Sequence, residues 1–271
     1  MSLGLVAQRG NDQAISLAQE LRKAIGSAAV SVDEETGNAL GIEGTPVEAL
    51  STCDLVASIG GDGTFLFAAR LIGDTPIMGV NLGEVGFLTA VSPEKAVETI
   101  DAEYERARAG RLDLRTISRL EARNGDWTSE PALNELMVHA PQRGTDERLE
   151  VVVRIDGNEY DRSTVDGVMV ATPTGSTAYN LSERGPLVTP GVGGVVVNQM
   201  CADHGRPPVV VPDEAVVEID VVEGPFAYVV GDGRVQHQID VPGAVRVSKS
   251  ANPLCLAGPQ IDFFEALNKL S

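Results

Sequence analysis

The run Ser58-Ile59-Gly60-Gly61-Asp62-Gly63-Thr64 constrains this chain more than any other stretch. The apolar segment Asp54-Leu55-Val56-Ala57 leads into it, and Phe65-Leu66-Phe67-Ala68-Ala69-Arg70-Leu71 follows with the composition of a helix. A buried strand therefore feeds a turn with three glycines, and the turn opens a helix. Glycine admits positive φ and lets a ligand approach without a Cβ in the way. Free N–H groups at the start of a helix favour an anion such as phosphate. Asp62, the one acid in the turn, stands where phosphoryl chemistry needs a proton acceptor or a metal ligand. The plainer reading is a tight strand-to-helix turn in which Asp62 only caps the helix.

The surrounding segments alternate in the same way. Residues 3–7 read as a strand and Asp12 to Ile25 as an amphipathic helix, with Leu17, Ala18, Leu21 and Ile25 on one face. Ala28 to Val32 is a short strand and Asp33 to Leu40 a short helix. The Asp54–Ile59 strand, the Thr64–Leu71 helix and the Pro76–Val80 strand follow, and Pro93 to Ala109 is a long helix whose Ser92-Pro93-Glu94 start carries a cap, a proline and an acid. Alternation of this kind predicts a parallel sheet with helices on its faces, and ligands at the carboxyl ends of its strands. After Gly110 the character changes. Residues 111–123, 134–140, 149–155, 159–165, 167–171, 208–212, 215–222, 226–231 and 244–249 read as strands, with hairpin turns at Asn124-Gly125-Asp126 and Asp156-Gly157-Asn158. The fold expected is an α/β domain over 1–110 and a mostly β sandwich over 111–249. Residues 250–271 are expected to return to the first domain through a short helix, Phe263–Leu270.

A second motif lies in that β-rich half. Asp166-Gly167-Val168-Met169-Val170-Ala171-Thr172-Pro173-Thr174-Gly175-Ser176-Thr177-Ala178-Tyr179-Asn180-Leu181-Ser182 places hydroxyls, a glycine and a tyrosine behind an apolar strand. Short hydroxyl donors and acceptors at Thr172, Thr174, Ser176 and Thr177, with the flat, polar-tipped ring of Tyr179, suit a sugar and a base better than a core. The ordinary alternative is a Ser/Thr-rich helix start.

Together with Asn134-Glu135 and Asn81-Leu82-Gly83-Glu84-Val85-Gly86-Phe87-Leu88, these segments resemble the NAD kinase family from about residue 50 to residue 235. Gly-Gly-Asp-Gly-Thr alone is shared with diacylglycerol, sphingosine and phosphofructokinase relatives; the combination is far narrower. The resemblance implies phosphoryl transfer from ATP or polyphosphate to the 2′-hydroxyl of the adenosine ribose of NAD, aided by Mg²⁺ or Mn²⁺. Asp62 would be the base or would orient the hydroxyl and the metal, with no further metal ligand assigned. Gly60, Gly61, Gly63 and Thr64 would border the phosphate path, and Asp62 and Gly63 would also touch NAD. Asn134 and Glu135 would hold adenine and ribose, Phe87 would pack on the adenine, and Asp166 would hold the nicotinamide side. Thr174, Thr177, Ala178, Tyr179 and Ser182 would contact the dinucleotide. The resemblance also implies a homodimer or homotetramer.

Four departures from the family pattern stand out. Phe67 occupies a position that is basic in many relatives. Arg184 replaces a glycine in Ser182-Glu183-Arg184-Gly185-Pro186, straining the loop if positive φ is needed there, or supplying a charge for phosphate. Asp232-Gly233 is followed by Arg234, where bacterial members often have Gln. Asn198–Pro207 keeps only Arg206-Pro207 of its counterpart. Two other readings remain open: a lipid or sugar kinase of the same fold, and a catalytically silent dinucleotide-binding regulator.

Composition narrows the setting. The net charge is −18 and is spread along the chain, and the basic residues are 17 Arg against 4 Lys. An acid-rich, lysine-poor surface points to a protein of concentrated salt, where screening relieves self-repulsion. It also argues against nucleic-acid partners, which need clustered positive charge. No apolar run approaches the ~20 residues of a membrane span, and none reads as a signal peptide. Cys53, Cys201 and Cys255 are odd in number and lack Cys-x-x-Cys spacing, which favours a reducing cytoplasm over disulfides or zinc. His139, His204 and His237 are isolated in sequence and read as strand or surface positions, and Trp127 as a local packing residue.

Overall fold

The computed structural model describes residues 2–142 and 147–269. The chain divides into two compact units, Met1–Ile117 with Pro253–Ser271, and Ser118–Asn252.

The first unit is an α/β layer structure. Its sheet runs in the order Val30–Val32, Leu3–Ala7, Leu55–Gly60, Ile77–Asn81, Leu254–Leu256 and Arg115–Ile117. The first four strands are mutually parallel, Leu254–Leu256 joins them in parallel, and Arg115–Ile117 closes the edge antiparallel. Every residue of Leu3–Ala7 and Leu55–Gly60 is buried. Continuous burial is what a sheet covered on both faces demands, and it explains why these strands are apolar runs without alternation. Helix Asp12–Ile25 starts where the Asn11 side chain accepts from the Gln13 and Ala14 N–H groups, and it buries Ala14, Leu17, Ala18 and Leu21.

Helix Asp62–Leu71 begins two residues before the expected Thr64, because Gly61 takes the cap position and its carbonyl accepts from Thr64 and Phe65. The 93–109 stretch opens as a 3₁₀ turn, Pro93–Lys95, before helix Ala96–Arg108, and the Ser92 side chain makes no capping bond. The last helix is Phe263–Asn268, capped by Asp262; Leu270, the expected end, lies outside the described residues.

The second unit is two six-stranded antiparallel sheets. One has the order Asn158–Val165, Leu149–Ile155, Val217–Glu223, Gly243–Lys249, Leu120–Asn124, Trp127–Thr128. The other has the order Val209–Pro212, Gly194–Met200, Gly167–Ala171, Glu135–His139, Ala227–Gly231, Arg234–Ile239. Their inner faces share one core, to which Val151, Val153, Val168, Val170, Val217 and Ile219 contribute. β-Branched side chains fit a pleated face, and full burial of each is worth ~1.5–3 kcal/mol. The outer face of the second sheet carries a separate cluster built around Met137, Met169 and Met200, on which Tyr179 and Tyr228 lie half-buried. Asp156 (φ 49°) and Gly157 (φ 77°) form the two-residue turn between Ile155 and Asn158. Trp127 stacks on His237 with ring centroids 4.3 Å apart, so it packs locally.

Candidate functional site

In the first unit, the carboxyl end of strand Leu55–Gly60 delivers Asp62 to the first turn of its helix. Its carboxylate ties two motifs together. Asp62 Oδ2 accepts from the Phe87 N–H at 2.8 Å, and Oδ1 accepts from the Leu88 N–H at 3.1 Å and the Thr89 hydroxyl at 3.0 Å. The Gly86-Phe87-Leu88-Thr89 turn thus exists around this aspartate. A carboxylate offers about four acceptor positions, so roughly one remains, on Oδ2. Asp62 is half-buried and its neighbour Gly63 is exposed.

The glycines beside it differ in what they need. A Cβ on Gly60 would come 2.5 Å from Thr64 Oγ1, so packing alone explains that glycine. Gly61 and Gly63 have no heavy atom within 4 Å of a Cβ position, and neither has positive φ. Nothing inside the fold requires glycine at either. Phe87 is half-buried, its ring 6.0 Å from that of Phe263 in the C-terminal helix. Phe67 is 44% exposed, and the Arg70 guanidinium, one turn on, lies 6.0 Å over its ring.

In the second unit, Asn134-Glu135 enters its strand under close control. Asp232 Oδ2 accepts from the Leu133 N–H at 2.8 Å, and Oδ1 accepts from Asn134 at 2.7 Å and Glu135 at 3.3 Å. The Asn134 carbonyl accepts from the Thr172 N–H, and the Thr172 hydroxyl donates to the Leu133 carbonyl at 2.6 Å. A Cβ on Gly175 would overlap the Asn134 carbonyl, so the Thr-Pro-Thr-Gly turn packs directly on this segment. Glu135 is 4% exposed, and its Oε2 is buried without a partner. Burial first, and then the charge of Asp232, push its carboxyl up to about 8. Burial likewise raises the carboxyl of Asp232 against the pull of its three N–H partners.

Asp166 is buried at 5% exposure and accepts from Arg148 Nε at 3.2 Å. Arg148 also binds Asp203, the Thr164 carbonyl and the Cys201 carbonyl, which fixes the start of the Asp166-Gly167 strand. Thr174, Thr177, Ala178 and Tyr179 are half-buried and Ser182 is exposed. The Thr177 hydroxyl donates to the Thr174 carbonyl at 3.1 Å. Ser176 and Asn180, both fully buried, are structural: Ser176 bridges Pro173 and Val188, and Asn180 holds Ser176, Pro186 and Asn198.

Arg184 is exposed at φ 58°. Its N–H bonds the Leu181 carbonyl, and the Gly185 N–H reaches back to Asn180, so Arg184 occupies the left-handed position that ends helix Tyr179–Ser182. The position does call for glycine geometry. Of the remaining candidates, His139 Nδ1 lies 2.6 Å from the Ala140 carbonyl and His237 pairs with Asn124. Among the described residues no three His, Cys, Asp or Glu side chains converge as a metal cage, and none of the three cysteines is in a disulfide.

Residues 3–107 match the ATP-NAD kinase N-terminal domain and residues 133–257 the ATP-NAD kinase C-terminal domain. A NAD kinase of Halorubrum lacusprofundi is 50% identical over 275 residues, covering 100% of both chains. The chain belongs to the NAD kinase family. It is therefore an enzyme, and the family signal is full-length: a NAD kinase of Haloarcula marismortui is 48% identical over 283 residues, again covering 100% of both chains. The crystal structure of an NAD kinase from Archaeoglobus fulgidus in complex with ATP superposes with a TM-score of 0.78 at 28% identity, over 100% of each chain. That of yeast NADH kinase complexed with NADH gives a TM-score of 0.86 over all of this chain and 87% of the other; at 21% identity it speaks to the fold alone. The α/β unit with its parallel sheet and the antiparallel β unit are the NAD kinase architecture expected from the sequence. Missed there was the hold that Asp232 has on Asn134-Glu135. The signal available was an acid at the tip of an Asp-Gly hairpin, which turn preference alone already explains.

Proposed function

We propose that the enzyme transfers the terminal phosphoryl group of ATP to the 2′-hydroxyl of the adenosine ribose of NAD, yielding NADP. The observation that carries this reading is Gly63, in the first helical turn beside Asp62. Glycine in a helical turn costs ~0.5–1 kcal/mol relative to alanine. Here it is kept where neither φ nor packing asks for it. Close approach of a ligand from outside supplies the missing reason, and helix N–H groups favour a phosphate as that ligand. The ATP complex of the Archaeoglobus fulgidus relative supports ATP as donor; polyphosphate is the competing donor.

In this reading a neutral alcohol attacks a heavily charged phosphate, so catalysis rests on positioning and charge neutralisation. Asp62 accepts the hydroxyl proton at the remaining lone pair of Oδ2, while Phe87, Leu88 and Thr89 hold its plane fixed. Asn134 reads the adenine edge, and Glu135 and Asp166 accept from ribose hydroxyls or the carboxamide. Thr174, Thr177, Ala178, Tyr179 and Ser182 line the dinucleotide, and Phe87 flanks the adenine. Gly60, Gly61, Gly63 and Thr64 border the phosphates, with Arg184 as an added charge. With the remaining lone pair of Asp62 given to the hydroxyl proton, a Mg²⁺ would be held by phosphate oxygens and water and would supply charge neutralisation.

The net charge of −18 and the two haloarchaeal relatives support function in concentrated salt. No helix among the described residues is long and apolar enough to cross a membrane; the free cysteines support a cytoplasmic setting, and the resemblance supports a homodimer or homotetramer. The test is purified protein in molar KCl with Mg²⁺ and NAD, given ATP in one arm and polyphosphate in the other, and scored for NADP. NADP with ATP supports the proposal, NADP with polyphosphate alone overturns the donor, and no NADP in either arm overturns the reaction.

A further inference from the structure

We infer that Asp232 is a positioning residue that presents Asn134 and Glu135 to the dinucleotide. The inference rests on the NAD kinase reading and adds a residue that the reading does not use. Asp232 and Gly233 (φ 48° and 74°) form the two-residue turn between Ala227–Gly231 and Arg234–Ile239. An Asp-Gly pair is what such a turn prefers, and Asn-Gly would serve equally well. The carboxylate does more than the turn needs.

It reaches out of its own hairpin to accept from three consecutive backbone N–H groups, those of Leu133, Asn134 and Glu135. Its own N–H returns a bond to the Glu135 carbonyl at 3.1 Å. Three converging donors require an acceptor-only group, and an amide would turn an N–H toward at least one of them. Within the segment so held, Leu133 is buried in the core and Glu135 carries an unsatisfied oxygen. Glu135 is buried with Oε2 unpartnered, in a place where an orphaned oxygen costs stability unless a ligand satisfies it. The backbone clamp therefore fixes the register of two side chains that meet the substrate, while its own carboxylate is spent on three backbone N–H groups. The clamp also puts a negative charge beside Glu135, and the buried Arg119 is the cation that offsets Asp232 itself.

Asp232→Asn separates the two roles, since it keeps the turn and removes the acceptor. The KM for NAD should rise about tenfold or more, as expected for loss of a charge-assisted hydrogen bond. The KM for ATP should stay within about twofold, a split that mere loss of stability does not produce. Asp232→Gly, which preserves the turn without any acceptor, should match or exceed the NAD effect. Hydrogen exchange on the unliganded protein should show faster exchange at the Leu133, Asn134 and Glu135 amides in both variants. An active wild type with an unchanged NAD KM in Asp232→Asn overturns the inference and leaves the NAD kinase reading intact. Absence of NAD phosphorylation by wild type overturns that reading instead, and unchanged exchange at the three amides overturns the clamp in either case.

Discussion

Replacing Glu135 with Gln gives a test in which the structure supplies both sign and size. The Glu135 carboxyl is buried beside Asp232 and is pushed from an ordinary 4.5 up to about 8. Between those values the folded chain holds a proton that the unfolded chain has released. The stability this proton brings is fully present below 4.5 and is lost as pH rises through about 8. Stability falls by about 1.4 kcal/mol per pH unit inside that window. From about pH 6 to about pH 9 the wild type should lose roughly 2.5 kcal/mol through this group alone. Glu135→Gln keeps the shape and cannot ionise, so that part of the slope should vanish. Asp232 titrates in both proteins, and the difference between the two curves isolates Glu135. Urea unfolding in molar KCl at several pH values, without NAD, measures it. Parallel curves for wild type and variant would refute the buried, neutral Glu135.

Three further outcomes follow from the same geometry. Asp62→Asn should lower turnover ~10²–10⁴-fold, the usual worth of a positioned base. It should also cost ~1–3 kcal/mol of stability, because an amide cannot accept from Phe87, Leu88 and Thr89 together; near wild-type turnover would remove Asp62 from the mechanism. Arg184→Gly should stabilise the fold by ~1 kcal/mol by relieving a left-handed backbone. If Arg184 also serves the phosphates, the donor KM should rise in that variant, and a higher melting temperature with unchanged donor KM would eliminate its charge role. Melting temperature should climb from dilute buffer to molar KCl as self-repulsion among the spread acids is screened, and a flat or falling curve would contradict adaptation to salt.

Legibility in the sequence followed helical spacing and unbroken apolar runs and failed where a strand is polar or its pairing distant. Helix Asp12–Ile25 and the strands at 3–7, 149–155 and 167–171 stand where apolar spacing puts them. Strand Gly194–Met200 was not legible because its apolar run is only Val195-Val196-Val197, set between Gly193-Gly194 and the polar Asn198-Gln199. Arg234–Ile239 went unread because its polar residues form an edge strand, visible only through pairing with Ala227–Gly231. Leu254–Leu256 is three residues long and owes its place to Ile77 and Arg115–Ile117, far away in sequence. In the candidate site the motifs announce Asp62 and Asn134-Glu135. What braces them does not show: Thr89 reaches Asp62 across 27 positions, and Asp232 reaches Asn134 across 98. The Arg184 substitution was readable as a departure, but its cost needed the observed φ of 58°.

In the proposed reaction the ribose 2′-hydroxyl of the adenosine half of NAD receives the phosphoryl group. Phosphorus NMR of a reaction containing the enzyme, Mg²⁺, NAD and ATP in molar KCl tests it most directly. One new phosphomonoester resonance is expected, coincident with that of authentic NADP, growing as ATP is consumed and absent with Asp62→Asn. A monoester at any other position, or ATP consumed with NAD unchanged, would contradict it.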